Sequence, residues 1–185
     1  FKYAKPNAIK IQNLPAQAGL KSNLDYALEV ARVLNIPKDI IRDTVKKLSK
    51  PDRRGDIKII NNFEVIDQSY NISETTAKKA IDEAAKTAKS KNKKLIVITA
   101  GIPELGEENK NANINLGKYL SQKSDKIILL KSILYTEVIE GLDSRLREND
   151  ALLASDLSEA WRVLEEFSPK KYIVLLQPEL NDLYY

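Results

Sequence analysis

The 185-residue chain contains no cysteine, no histidine and no methionine. Without cysteine there is no disulfide framework, no thiolate nucleophile and no sulfur-ligated zinc or iron–sulfur cluster, so nothing points to an oxidising compartment. Without histidine the usual acid/base and metal-ligand side chain is missing, which removes Ser-His-Asp hydrolysis and His-Glu zinc chemistry together. Any catalysis would have to use carboxylates, Lys, Arg, Tyr or a bound cofactor. Glycine (6) and proline (7) are too sparse for a collagenous or low-complexity chain. No apolar run approaches the ~18 residues of a membrane span, so an integral membrane protein is not expected. The chain opens at Phe1 with no basic-then-apolar leader, and it reads as a piece of a longer cytoplasmic protein whose chemistry is incomplete within these residues.

What is present is a globular composition, 43% hydrophobic and 30% charged, long enough for one substantial domain and an appendage. The net charge of +4 is uneven: residues 1–55 carry 12 Lys or Arg against 5 Asp or Glu, and the remainder 18 against 21. A basic leading segment could meet nucleic acid or nucleotide phosphates. Solvated lysine-rich helix faces explain it more simply, and no interleaved aromatic platform supports nucleic-acid binding.

Residues 1–21, punctuated by Pro6, Pro15 and Gly19, read as irregular. From Ser22, apolar residues at Leu24, Ala27, Leu28, Ala31 and Leu34 recur at helical spacing, and Pro37 opens a second helix through Leu48. Lys50-Pro51-Asp52 closes the pair, and Arg53-Arg54-Gly55 reads as a hinge. The division expected is therefore a helical segment over 1–50, a linker over 51–55 and a domain over 56–185.

Within that domain Ile57–Ile60 and Phe63–Asp67, separated by Asn61-Asn62, predict a tight hairpin. A helix follows from Glu74 to Lys89, then a buried parallel strand at Lys94–Thr99. The alternation continues with a helix over 107–122, a strand at Lys126–Leu130, a helix over 136–141, a strand at 151–154, a helix over 157–167 and a last strand at Tyr172–Leu176. This is an α/β, Rossmann-like, mostly parallel sheet with helices on both faces and an antiparallel hairpin at one edge, preceded by a short helical segment. Ligands on such sheets bind beyond the carboxyl ends of the strands, which directs attention to the loops after Ile66, Ile98 and Leu130.

Two of those loops carry polar groups in a suggestive order. Asp67-Gln68-Ser69-Tyr70-Asn71 leaves a strand and runs into a helix whose amino end attracts anions, a suitable mouth for ribose, adenine or carboxylate. Helix capping by Asn71, Ser73 and Thr75 is the plainer explanation. Thr99-Ala100-Gly101-Ile102-Pro103-Glu104-Leu105-Gly106 leaves the next strand, with Glu104 able to cap or to accept a hydrogen bond from a ligand amine, although a structural turn is the plainer explanation. Neither a G-x-x-x-x-G-K-[ST] phosphate loop nor a G-x-G-x-x-G fingerprint occurs. Glu107 and Glu108 suit a helix start, Trp161 a core position, and Tyr184-Tyr185 a tail.

Taken in order, these pieces resemble the Mur ligase family of ATP-dependent amide-forming enzymes, and most closely its D-alanyl-D-alanine-adding branch. Ala27–Ile36 is similar to the last helical region of the family's central domain, and Arg53-Arg54-Gly55 sits where the family has its linker. Ile66-Asp67-Gln68-Ser69-Tyr70-Asn71 is similar to its Asp-Asp-Ser-Tyr-Asn-Ala signature. Glu104-Leu105-Gly106, Leu116-Gly117 and Asp125-Lys126-Ile127 are similar to its Glu-Leu-Gly, Leu-Gly and Asp-Arg-Val series. Departures are Gln68 for the second Asp, Asn113 for a His, Gly101 for an acid, and Leu175–Asp182 for a Lys-Gly-Ser ending.

The resemblance implies a cytoplasmic three-domain ligase in which ATP, with Mg2+, converts a carboxylate to an acyl phosphate that an amine attacks. This chain would carry the end of the central domain and the whole carboxyl-terminal domain, with no catalytic residue or metal ligand of its own and no tightly bound cofactor. Its partners would be the missing amino-terminal and central domains, a UDP-muramoyl-peptide, and an amino acid or D-Ala-D-Ala, but neither nucleic acid nor membrane. Arg54, Asp67, Gln68, Tyr70 and Asn71 would then face the nucleotide, and Ser69 and Glu104 the incoming amine. The alternative is a Mur-ligase-like binding or scaffold domain, or amidotransferase partner, that has lost catalysis.

Overall fold

A computed structural model describes residues 21–48, 53–132, 134–146 and 150–178. Of the stretch expected to be irregular over residues 1–21, residues 1–20 lie outside the described residues and Lys21 is helical; the Lys50-Pro51-Asp52 closure and the Tyr184-Tyr185 pair also lie outside them. The chain divides into two compact units, 1–49 and 50–185.

Among its described residues the first unit contains two helices, α1 (Lys21–Val33) and α2 (Lys38–Lys47). Helix α1 closes on Asn35, which takes a left-handed φ of 53° while the Ile36 amide donates to the Ala31 carbonyl. Asn is the residue after Gly that best tolerates this geometry. Pro37 stands just before α2 with φ −56°, so its missing amide costs the helix nothing.

The second unit opens with β1 (Asp56–Ile60) and β2 (Phe63–Asp67), paired antiparallel. Asn61 and Asn62 both have positive φ, 49° and 65°, which gives the turn the twist a two-residue hairpin needs. Then come α3 (Glu74–Ser90), β3 (Lys94–Thr99), α4 (Asn109–Lys123), β4 (Lys126–Leu130), α5 (Tyr135–Gly141), β5 (Ala151–Ala154), α6 (Leu157–Leu164) and β6 (Tyr172–Leu176). The six strands lie in the order β1-β2-β6-β3-β4-β5, and every pair except the hairpin is parallel. The last strand among the described residues therefore fills the middle of the sheet.

Alternation within the buried strands supplies both faces. Ile66, Leu95, Val97, Ile127, Leu129, Ile173 and Leu175 pack against α3, α4 and α5. Their neighbours Val65, Ile96, Ile98, Ile128, Val174 and Leu176 pack against α6. This is the α/β, mostly parallel, two-faced sheet that the alternating pattern predicts.

Three local readings need correction. Of Asn71, Ser73 and Thr75, it is Ser73 that caps α3: its hydroxyl accepts from the Thr76 amide at 3.3 Å while the Ser73 amide donates to Thr76 Oγ1 at 2.7 Å. Helix α4 begins at Asn109, not 107, because Glu104 and Gly106 are left-handed and Gly106–Glu108 forms a 3-10 turn. Helix α6 stops at Leu164, since the amides of residues 165–167 turn to carbonyls three residues back and tighten the chain. Trp161 and Phe167 pack, half-buried, against the α6-side core as a core role requires.

One surface cluster yields a pH prediction. Glu64 of β2 receives the ammonium groups of Lys91 and of Lys93, the latter at 2.8 Å, and these bonds hold its carboxyl below the usual glutamate range. A depressed folded-state pKa stabilises the fold above the unfolded value and loses that stabilisation as pH falls through the folded value. Glu64→Gln is therefore expected to cost about 1 kcal/mol at neutral pH. That difference from wild type should vanish in urea titrations run well below about pH 4; a gap that persists there would refute the assignment.

Candidate functional site

The loop leaving β2 and the arginine-bearing turn before β1 form one piece. Beyond the last ladder pair, Asp56 with Asp67, the Gly55 amide donates to the Asp67 carbonyl at 2.6 Å and the Tyr70 amide to the Arg53 carbonyl at 3.3 Å. Arg53 and Gly55 take left-handed φ values of 58° and 81°, which turns the chain back alongside the exit loop. The Arg54 guanidinium carbon then lies 4.3 Å from the Tyr70 ring centroid and that of Arg53 lies 5.6 Å from it. Both distances fit cation–π attraction. Arg54, Tyr70 and Asn71 are exposed, so a cationic, aromatic and amide surface faces outward at the carboxyl end of β2.

Asp67 and Ser69 are directed inward instead. Asp67 is 5% exposed, and its Oδ1 accepts from the Ser69 amide at 3.1 Å and the Ser69 hydroxyl at 2.6 Å. Its Oδ2 accepts from Lys58 Nζ at 2.9 Å, and the same ammonium lies 3.2 Å from Asp56. The bond to Asp67 pushes the Lys58 pKa up; burial opposes it and Asp56 adds to it. Ser69 is fully buried. The pair makes an Asx-type turn that shapes the loop from within. Gln68 is half-buried, and its amide donates to the Leu176 carbonyl, which carries the parallel pairing with β6 one residue further.

Glu104 is exposed on the loop after β3, with a left-handed φ of 62°. Because β6 separates β2 from β3, the two exits are two strand spacings, about 10 Å, apart. The β3 loop is anchored from α4: fully buried Asn113 accepts from the Ile102 amide at 2.8 Å and donates to the Ile102 carbonyl at 3.0 Å. From the β4 side, Ser132 Oγ donates to the Ala100 carbonyl at 2.7 Å. Residue identity alone marks Asn113 only as a replaced histidine. Its position on the buried stripe with Ala112, Leu116 and Leu120 is the sequence signal of an internal role.

Gln177 is a second residue that sequence reasoning passes over. It follows β6, is fully buried, and its Nε2 donates to the Ala77 carbonyl in the first turn of α3 at 3.0 Å. Its amide donates to the Ile98 carbonyl, so it ties the ends of β6, β3 and α3 together. Among the described residues no group of three or more carboxylates is placed to hold a metal ion, and no helix is long and apolar enough to cross a membrane.

No family model matches the chain. Solved structures do. The MurF ligase of Thermotoga maritima in complex with ADP superposes with a TM-score of 0.65 at 20% identity, over 87% of this chain and 35% of that one. MurF of Acinetobacter baumannii gives 0.63 at 18% identity, over 89% of this chain and 35% of that one. The bifunctional folylpolyglutamate synthase/dihydrofolate synthase of Yersinia pestis, complexed with AMPPNP and a manganese ion, gives 0.56 at 16% identity, over 83% and 35%. The chain spans about a third of the length of each of these proteins. Its fold is the one found in part of the Mur ligases and of folylpolyglutamate synthase.

Proposed function

We propose that the chain is the carboxyl-terminal part of an ATP-dependent, amide-forming ligase of the Mur type, and that residues 53–71 close on its nucleotide. The supporting observation is the joined arginine turn and β2 exit loop, which holds Arg54 over Tyr70 and leaves both exposed beside Asn71. In this reading the Arg54 guanidinium donates to nucleotide oxygens, while Tyr70 and Asn71 offer a ring face and an amide to ribose or base. Gln68 borders them, and buried Asp67 acts through the loop. ATP supplies the phosphoryl group that activates the acceptor carboxylate; its phosphates and Mg2+ would be held by the rest of the ligase, because this chain has no phosphate loop.

In the same reading Glu104, exposed on the loop after β3, accepts from the ammonium of an incoming amino acid or D-Ala-D-Ala. Ser69, whose hydroxyl is committed to Asp67, contributes by shaping the surface rather than by touching that amine. A site split between this domain and others is completed when the domains close, and water is excluded at that moment.

The test is made on the full-length protein, as ATP-dependent phosphate release in the presence of a UDP-muramoyl-peptide and D-Ala-D-Ala. Arg54→Ala is expected to lower kcat/KM for ATP by about 10- to 100-fold, the cost of a lost charged hydrogen bond. Arg54→Lys should recover part of that loss at most. Release that requires a folyl substrate instead would transfer the reading to the folylpolyglutamate synthase side; unchanged kinetics in Arg54→Ala would remove the nucleotide role.

A further inference from the structure

Asp56 and Asp67 stand directly opposite each other in the antiparallel ladder, so their side chains share one face of the sheet. Like charges in such a pair repel across about 5 Å. Water cannot screen them well: Asp67 is 5% exposed, and Asp56 Oδ1 is buried without a hydrogen-bond partner. The ladder closes here because one ammonium lies between the two carboxylates, 3.2 Å from Asp56 and 2.9 Å from Asp67. Strand alternation puts Lys58 on that face, two residues from Asp56 and away from Ile57 and Ile59.

The arrangement matters because of what each aspartate adjoins. Asp56 follows the Arg53-Arg54-Gly55 turn, and Asp67 precedes the Ser69-Tyr70-Asn71 loop. If the two carboxylates must separate, one of those two segments moves, and both carry the exposed surface.

We propose that Lys58 is the positioning residue of this site: by bridging Asp56 and Asp67 it fixes the carboxylate that holds Ser69, and through it the register between the arginine turn and Tyr70. The use of that surface by a nucleotide rests on the reading above; the geometry does not. Lys58 touches no ligand in this account and acts through Asp67.

The experiment measures amide hydrogen exchange by NMR in the 185-residue chain for wild type, Lys58→Met and Lys58→Arg. In Lys58→Met the amides of Gly55, Ser69 and Tyr70 are expected to exchange at least about tenfold faster, while those of Ile96 to Ile98 in β3 stay within about twofold. Lys58→Arg, which keeps the charge, should restore protection. Unchanged exchange at the three amides would overturn the proposal, as would equal acceleration throughout the domain, which marks a merely structural lysine. Should Lys58→Met not fold, Asp67→Asn is measured the same way, since it keeps an acceptor for Ser69 but gives Lys58 no charge to hold. The same local pattern supports the proposal and its absence refutes it. ADP titrated into the full-length ligase separates the two readings. Weaker binding by a Lys58→Met protein with a loosened loop supports both, whereas wild-type affinity in that protein, or failure of the wild type to bind, counts against the nucleotide role alone and leaves the positioning role standing on the exchange pattern.

Discussion

Gly117→Ala is expected to lower the melting temperature by about 10 °C, a loss of about 3 kcal/mol. Helices α4 and α5 touch through backbone. A Cβ on Gly117 would lie 2.2 Å from the Val138 carbonyl oxygen and 2.9 Å from the Gly141 Cα, and one on Gly141 would lie 2.0 Å from the Ile114 carbonyl oxygen. Peptide atoms cannot swing aside as a side chain can, so the helices must part. Alanine improves helix propensity by about 1 kcal/mol over glycine, which is too little to offset separating a packed interface. Thermal melts followed by the fluorescence of Trp161, the only tryptophan, would check this; an equal or higher melting temperature would show that the crossing yields freely. Gly141→Ala should behave alike, and because the two changes strain one contact their effects should fall short of additive.

Asn113→Ala is expected to cost about 3 kcal/mol and to loosen the loop that carries Glu104. The amide side chain satisfies both the Ile102 N–H and its carbonyl, and Ile102 is itself fully buried, so truncation leaves two polar groups without water or partner. The neighbouring turn has no slack: Gly101 has φ +87°, and a Cβ there would approach Asn113 Oδ1 to 2.7 Å. Asn113→Asp keeps an acceptor for the Ile102 amide but sets a carboxylate against the Ile102 and Asn109 carbonyls, and should be no better than alanine. Denaturant midpoints with unchanged slopes would report the loss. A change below about 1 kcal/mol would mean that the loop is anchored chiefly by Ser132.

These two residues also show what sequence reading can and cannot reach. Period-two and apolar runs mark β1 to β6, and Asn61-Asn62 marks the hairpin, because those signals are local and each has a direct backbone cause. Sheet order is different. That β6 lies between β2 and β3 follows from which strands bury best together, and no local pattern carries it. The same gap affects the site. Asp67, Ser69, Tyr70 and Asn71 all look like ligand groups in sequence, yet the first two bind each other and the others face solvent. A carboxylate that organises its own loop and one that receives a ligand have the same letter. Lys58 and Gln177 were illegible for the same reason, since their partners Asp67 and Ala77 become neighbours only through pairing and helix docking.

The central place of β6 has a consequence for how the protein comes into being. Residues 56–154 can form a hairpin and a group of three parallel strands, but β2 and β3 meet only through Tyr172–Leu176. Until that segment has left the ribosome, two apolar edges wait open, and closing them pairs Val65 with Val174 and Lys94 with Tyr172, residues far apart in the sequence. High contact order of this kind makes folding slow and exposes the nascent chain to association through its unpaired edges. A polypeptide that stops short of Tyr172 therefore loses the seam that makes one sheet out of two, not just a terminal ornament.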